Sequence, residues 1–233
     1  MLIPTQIDLR IAHLLAKPLG RSPIFDYAVQ SGIDHGVLGG LWFAAALFLW
    51  YASIADHEET RLRNFLGAIA AGVMAVLLTM AAAALVTSVP PIHNQEFVFP
   101  EYMIRIPVQN SFPSQSTAVF FATALAVFAF RKWLGAFLVA VTFGLCALSR
   151  MYVGGHYLSD VLAGAVCGAL GYALARMMSR WLPPVPLQFR RRGSMHWIIA
   201  LGVFFWVAEL AFGFPEVAWL QRALGVLRTG VLP

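Results

Sequence analysis

The chain's densest chemistry lies between Leu148 and Asp160, where Ser149, Arg150, Gly154, Gly155, His156 and Asp160 fall within thirteen residues. Two long apolar runs, Trp133 to Ala147 and Val161 to Ala175, flank this stretch. Ionisable side chains at membrane depth are costly and mark functional sites by default. A guanidinium such as Arg150 can hold a phosphate through two parallel N–H bonds. An imidazole such as His156 can attack phosphorus through a ring nitrogen. Asp160 follows His156 by four residues, so on a helix beginning near Tyr157 the two share a face. The carboxylate would then fix the tautomer and raise the ring's basicity. Gly154 and Gly155 permit a close approach to a bound group. The competing reading is a structural polar cluster at a helix start.

A second polar stretch precedes the next apolar run. The connector from Val89 to Asn110 contains Pro90, Pro91, Pro100 and Pro107, so it is not helical throughout. It leads into Ser111-Phe112-Pro113-Ser114-Gln115-Ser116. Serines and a proline at a helix start supply capping hydroxyls and leave backbone N–H groups unpaired, an arrangement that binds anions. Ser114, Gln115 and Ser116 are therefore candidate substrate ligands, with Ser149, Gly155 and Arg105. For Ser114 the bland reading is a plain helix cap. His93 as a general acid and Glu209 as an intramembrane carboxylate are weaker candidates, each reading as readily as a solvated or interfacial group.

These residues need elements to bring them together, and composition dictates which. The chain has 233 residues, 60% hydrophobic and only 12% charged. A soluble domain of that length could not hide so much apolar surface, so the fold class is all-α, a polytopic membrane helix bundle. Runs of roughly 20 apolar residues suffice to span. They occur at about 36–55, 64–88, 115–132, 133–150 and 160–181, with a sixth at 196–214. Residues 1–34 are too polar to span and suit a helix lying in the interface; 215–233 reads as an interfacial tail. The whole of 1–233 reads as a single domain. Cys146 and Cys167 fall within spans and read as apolar filler, so no disulfide, metal site or cofactor is expected. The net charge of +5 points to an anionic membrane face rather than to nucleic acid.

The basic residues orient the bundle. With the segment after the first span cytoplasmic, nine of the sixteen Lys and Arg fall inside, Arg190, Arg191 and Arg192 among them. The 89–114 and 149–160 connectors then meet on the opposite, extracytoplasmic face.

These residues together resemble the type 2 phosphatidic acid phosphatase family, the PAP2 or vanadium haloperoxidase-like superfamily. The family's third motif, S-R-x(5)-H-x(3)-D, is matched in full by Ser149, Arg150, His156 and Asp160. The second, usually S-F-P-S-G-H, appears as Ser111 to Ser116, with Ser116 where the family has a leaving-group acid. The first, K-x(6)-R-P, is absent; Val89-Pro90-Pro91 stands at about its place, and Arg105-Ile106-Pro107 offers a displaced Arg. Gly20 to Asp26 is similar to the start of bacterial members acting on isoprenoid diphosphates. The resemblance covers residues 5–180. It implies a phosphatase of the bacterial inner membrane that takes a lipid phosphate or polyprenyl diphosphate from the bilayer through a phosphohistidine at His156. Asp160 would orient the ring, and Arg150 would bind the phosphoryl group. Two rivals remain: a lipid phosphotransferase using the same histidine, and a catalytically impaired lipid-phosphate binder or partner protein. Oligomeric state is not encoded in any of these features.

Overall fold

A computed structural model describes residues 2–31, 59–101 and 110–179. The expected first span, sixth span and tail, together with Arg105, lie outside them. Every regular element among the described residues is helical, as the long unbroken apolar runs require.

Helix α1, Gln6–Ala16, starts at a capping box: Thr5 Oγ1 accepts from Asp8 N–H at 3.2 Å, and Asp8 Oδ2 accepts from Thr5 N–H at 2.9 Å. Helix α2, Pro23–Ser31, begins with proline, whose missing N–H costs nothing at a first helical turn. Helix α3 is Glu59–Leu85, followed by a single tight turn at Pro91–His93. Helix α4, Gln115–Phe130, breaks at extended Arg131 and returns as α5, Lys132–Tyr152. Helix α6 is Leu158–Ser179. Residues 66–85 of α3, together with α5 and α6, are each long and apolar enough to cross a membrane; α4 is apolar but shorter. The sequence placed these four within a few residues of their observed ends.

Small residues let the backbones close up. A Cβ added at Gly168 would meet the Ala118 carbonyl oxygen at 2.4 Å, and one at Gly171 would meet Ala75 N at 2.6 Å. Alanines 71, 75, 118, 122 and 175 form the core between α3, α4 and α6. In lipid, where apolar surface has little reason to hide from apolar solvent, such close contact is what holds helices together. The outward face of α6, carrying Leu162, Val166 and Leu170, stays exposed, as expected of a lipid-facing stripe.

Two local features differ from expectation. The sequence places residues 149–160 in a connector, but α5 continues through Tyr152 after one wide π turn at Thr142–Ala147. Such turns re-aim the side chains that follow, here Ser149 and Arg150. The N-terminal segment is also more than an interfacial helix. It buries two carboxylates in the protein, with Asp8 only 2% and Asp26 0% exposed.

Candidate active site

The site lies at the end of the bundle where α3 ends, α4 begins, α5 ends and α6 begins. Its first support is Asn110. The Asn110 side-chain oxygen accepts from Ser88 N–H at 2.9 Å and Phe112 N–H at 3.1 Å, and its amide donates to the Val86 carbonyl at 3.1 Å. Ser111 N–H donates to the Ser88 carbonyl at 3.0 Å. The Ser111–Ser114 turn, with its cis Phe112–Pro113 bond, is thus tied to the chain leaving α3.

That turn holds the histidine. His156 is buried, and its Nδ1 lies 2.8 Å from the Ser111 carbonyl oxygen. A carbonyl only accepts, so Nδ1 carries the proton and Nε2 keeps the lone pair. Burial, and then the charge of Arg150, pull the imidazole down to about 4, against the upward pull of the Ser111 carbonyl. The ring is therefore neutral near pH 7, with a nucleophilic nitrogen next to a guanidinium.

The expected carboxylate–imidazole pair does not form. His156 precedes α6 rather than lying on it. Asp160, in the helix's first turn, reaches back to accept from Tyr157 N–H at 2.8 Å. Its carboxylate also approaches Ser111, while its backbone carbonyl accepts from Ser114 N–H at 3.0 Å. Asp160 thus caps α6 and braces the turn, and the ring's direct partner is a backbone carbonyl.

The proposed ligand residues divide. Ser114 is fully buried; its N–H goes to Asp160, and its hydroxyl pairs with Thr117 Oγ1 at 2.9 Å. Its carbonyl lies where a Gly164 Cβ would stand, at 2.3 Å. It is a helix-docking residue here, and its groups are committed to the protein. Ser149 donates to the Cys146 carbonyl at 3.0 Å within α5, and Gly155 N–H closes onto the Arg150 carbonyl at 2.9 Å. The close approach that glycine allows is of chain to chain: Gly154, at φ 73°, has Phe99 where a Cβ would be, at 2.5 Å. Gln115 and Ser116 behave otherwise. Gln115 Nε2 and Ser116 Oγ are buried without a hydrogen-bond partner among the described residues. Ser116 sits close to the Cys146 thiol, and Cys146 in turn close to Arg150.

Sequence reasoning missed Asn110, the Ser111 carbonyl, Asp8 and Asp26. Ser111 was visible only as the first residue of the Ser-Phe-Pro-Ser run, because a backbone acceptor leaves no mark in residue type. Asp8 lies in the stretch whose polarity suits an interfacial helix, yet its Oδ1 accepts from Ser159 N–H at 2.8 Å.

Residues 72–185 match the model of the PAP2 superfamily. Over 68 residues the chain is 38% identical to the bacitracin transport permease protein BcrC of Bacillus licheniformis, a stretch covering 29% of this chain and 33% of that protein. The chain thus spans about a third of the length of that relative, and no solved structure matches it. The family match over the end of α3 and all of α4, α5 and α6, together with the full Ser149, Arg150, His156, Asp160 spacing, supports the PAP2 superfamily for this chain, which is an integral membrane protein.

Proposed function

We propose that the protein hydrolyses a lipid phosphate, with a lipid diphosphate as the favoured class, through a phosphohistidine at His156. The observation that carries this reading is the 2.8 Å contact between Nδ1 and the Ser111 carbonyl, which leaves Nε2 as the attacking atom. Its lone pair forms the N–P bond as the bond from phosphorus to the leaving oxygen breaks, and the electron pair leaves with the lipid product. Arg150 offsets charge on the phosphoryl oxygens. Asp160 supports the ring indirectly, by bracing the turn that carries Ser111. Water then attacks phosphorus, and Nε2 departs with its lone pair restored.

The leaving group decides the substrate class. Ser116 stands where an acid would be needed, and a hydroxyl is too weak an acid to protonate an alkoxide at neutral pH. The phosphate leaving group of a diphosphate departs without that proton. The bias of Lys and Arg toward one set of connectors favours a site on the extracytoplasmic side of a bacterial inner membrane.

Purified protein in detergent, given phosphatidic acid or a polyprenyl diphosphate, should release phosphate faster from the diphosphate. His156→Ala should abolish release, a loss on the order of 10³-fold or more, as expected when a covalent nucleophile is removed. Full activity in His156→Ala would sink the assignment. Phosphate passed to an added lipid alcohol without release would identify a phosphotransferase.

A further inference from the structure

Two buried carboxylates from the N-terminal segment reach the stretch that carries Arg150 and His156 from either side. Asp26, on α2, accepts from the Tyr152 hydroxyl and from Gly20 N–H at 2.8 Å. Tyr152 ends α5, two residues beyond Arg150. Asp8, on α1, accepts from Ser159 N–H at 2.8 Å, three residues beyond His156. The partners are 126 and 151 residues apart in sequence, so neither contact follows from local folding.

Apolar packing accompanies both. Leu19 and Val29 pack against Tyr152 and Val153, and Ile11 and Leu15 pack against Met151 and Val161. The outer surface of the same segment is mixed, with Ile7 and Ile24 exposed beside Arg10, Lys17 and Arg21. Burying a carboxylate is costly unless hydrogen bonds satisfy it. A segment needing only an interfacial seat would have turned Asp8 and Asp26 to water.

We propose that residues 2–31 form a clamp on the active-site stretch, with Asp8 and Asp26 as positioning residues that set Arg150 and His156 relative to one another. As a statement about catalysis the proposal rests on the phosphatase reading; as a statement about structure it does not. Asp26 fixes the end of α5 that carries the guanidinium, and Asp8 fixes the start of α6, which follows the imidazole. A phosphoryl group held by one and attacked by the other demands that spacing, and misplacement by about 1 Å can cost on the order of 10²-fold in rate.

The test uses the full chain in detergent, with Tyr152→Phe and Asp26→Asn as single and double variants, beside Asp8→Asn. Turnover on a polyprenyl diphosphate is read together with amide hydrogen exchange. The expected result is a fall in kcat of about tenfold in each single variant with KM held within about twofold, the pattern of lost alignment rather than lost binding. The double variant should be no worse than the worse single one, because both changes act on the Tyr152–Asp26 contact. Exchange should rise in residues 149–160 and stay unchanged in the middle of α6. Tyr152→Phe deletes one oxygen only, so it keeps the test open should an Asp26 variant fail to fold. Unchanged kcat with unchanged exchange would overturn the clamp, as would exchange rising equally throughout the bundle. Wild-type protein that releases no phosphate would refute the phosphatase reading alone, and the exchange data would still decide the clamp.

Discussion

The two halves of the site are built to different standards. Around His156 nearly every polar group has a partner: the ring on Ser111, Asp160 on Tyr157, Gly155 on Arg150, Ser114 on Asp160 and Thr117. At the start of α4, Gln115 Nε2 and Ser116 Oγ are buried with none among the described residues. A buried donor without a partner costs about 1–3 kcal/mol, and a native fold seldom leaves one without a reason. The contrast separates a half that must be rigid before substrate arrives from a half that substrate completes. Attack on phosphorus tolerates little error in the nucleophile, whereas the departing oxygen needs only donors within reach.

The largest expected gain comes from repairing the leaving-group half. Ser116→His should raise hydrolysis of phosphatidic acid by about 10²-fold near neutral pH, the usual worth of a positioned acid. On a polyprenyl diphosphate the gain should stay below about threefold, because that leaving group needs little protonation. Equal gains on both substrates would show that Ser116 does not govern leaving-group departure. Wild-type protein equally fast on both would remove the stated difference between the halves.

The next test addresses the nucleophile half. His156 reacts only when neutral, and its imidazole is held at about 4 by burial and Arg150. kcat/KM should therefore be flat as pH falls from 7 to about 5, then drop roughly tenfold per unit below 4. The same depression sets a stability trend. Since the unfolded chain takes up its proton near 6.5, this group's contribution is fully present above 6.5 and declines as pH falls from there through 4. An acid limb near 6.5 that persists in Asp160→Asn would mean that the ring is not buried beside the guanidinium in the working enzyme.

Asn110→Ala attacks the tie that holds Ser111. It strands the N–H groups of Ser88 and Phe112, so thermal unfolding in detergent should show a loss of about 1–3 kcal/mol. Turnover should fall by about tenfold as the Ser111 carbonyl loosens. Lost stability with unchanged turnover would place Asn110 in the fold alone.

How far the sequence reveals this arrangement depends on the kind of interaction. The four described bundle helices were legible because lipid demands long apolar runs, and the motif resemblance rests on side chains at fixed spacing in Ser149 to Asp160. The π turn was not legible, since Thr142 to Ala147 reads as ordinary helix. The i, i+4 reasoning for His156 and Asp160 failed for a physical reason. An acidic residue in a first helical turn gains more by accepting the exposed N–H at Tyr157 than by facing a neutral ring. The Ser111 carbonyl and the long-range partners of Asp8 and Asp26 depend on tertiary placement, which residue type and spacing do not encode. The expected first and sixth spans, and Arg105, lie outside the described residues.

The smallest effect separates the two halves most finely. Gln115 Nε2 is a donor with no partner among the described residues, so its desolvation cost is already present in the folded protein. Gln115→Leu keeps similar bulk and removes that cost, and unfolding in detergent should shift upward by about 1 kcal/mol. If substrate supplies the missing acceptor, the same variant should raise KM about threefold to tenfold with kcat little changed, the mark of a contact made equally in ground and transition states. A gain in stability together with a loss in affinity is the trade expected of a polar group kept for its ligand. A gain in stability with KM unchanged would instead make Gln115 a tolerated defect, leaving Ser116 to be tested alone on the leaving-group side.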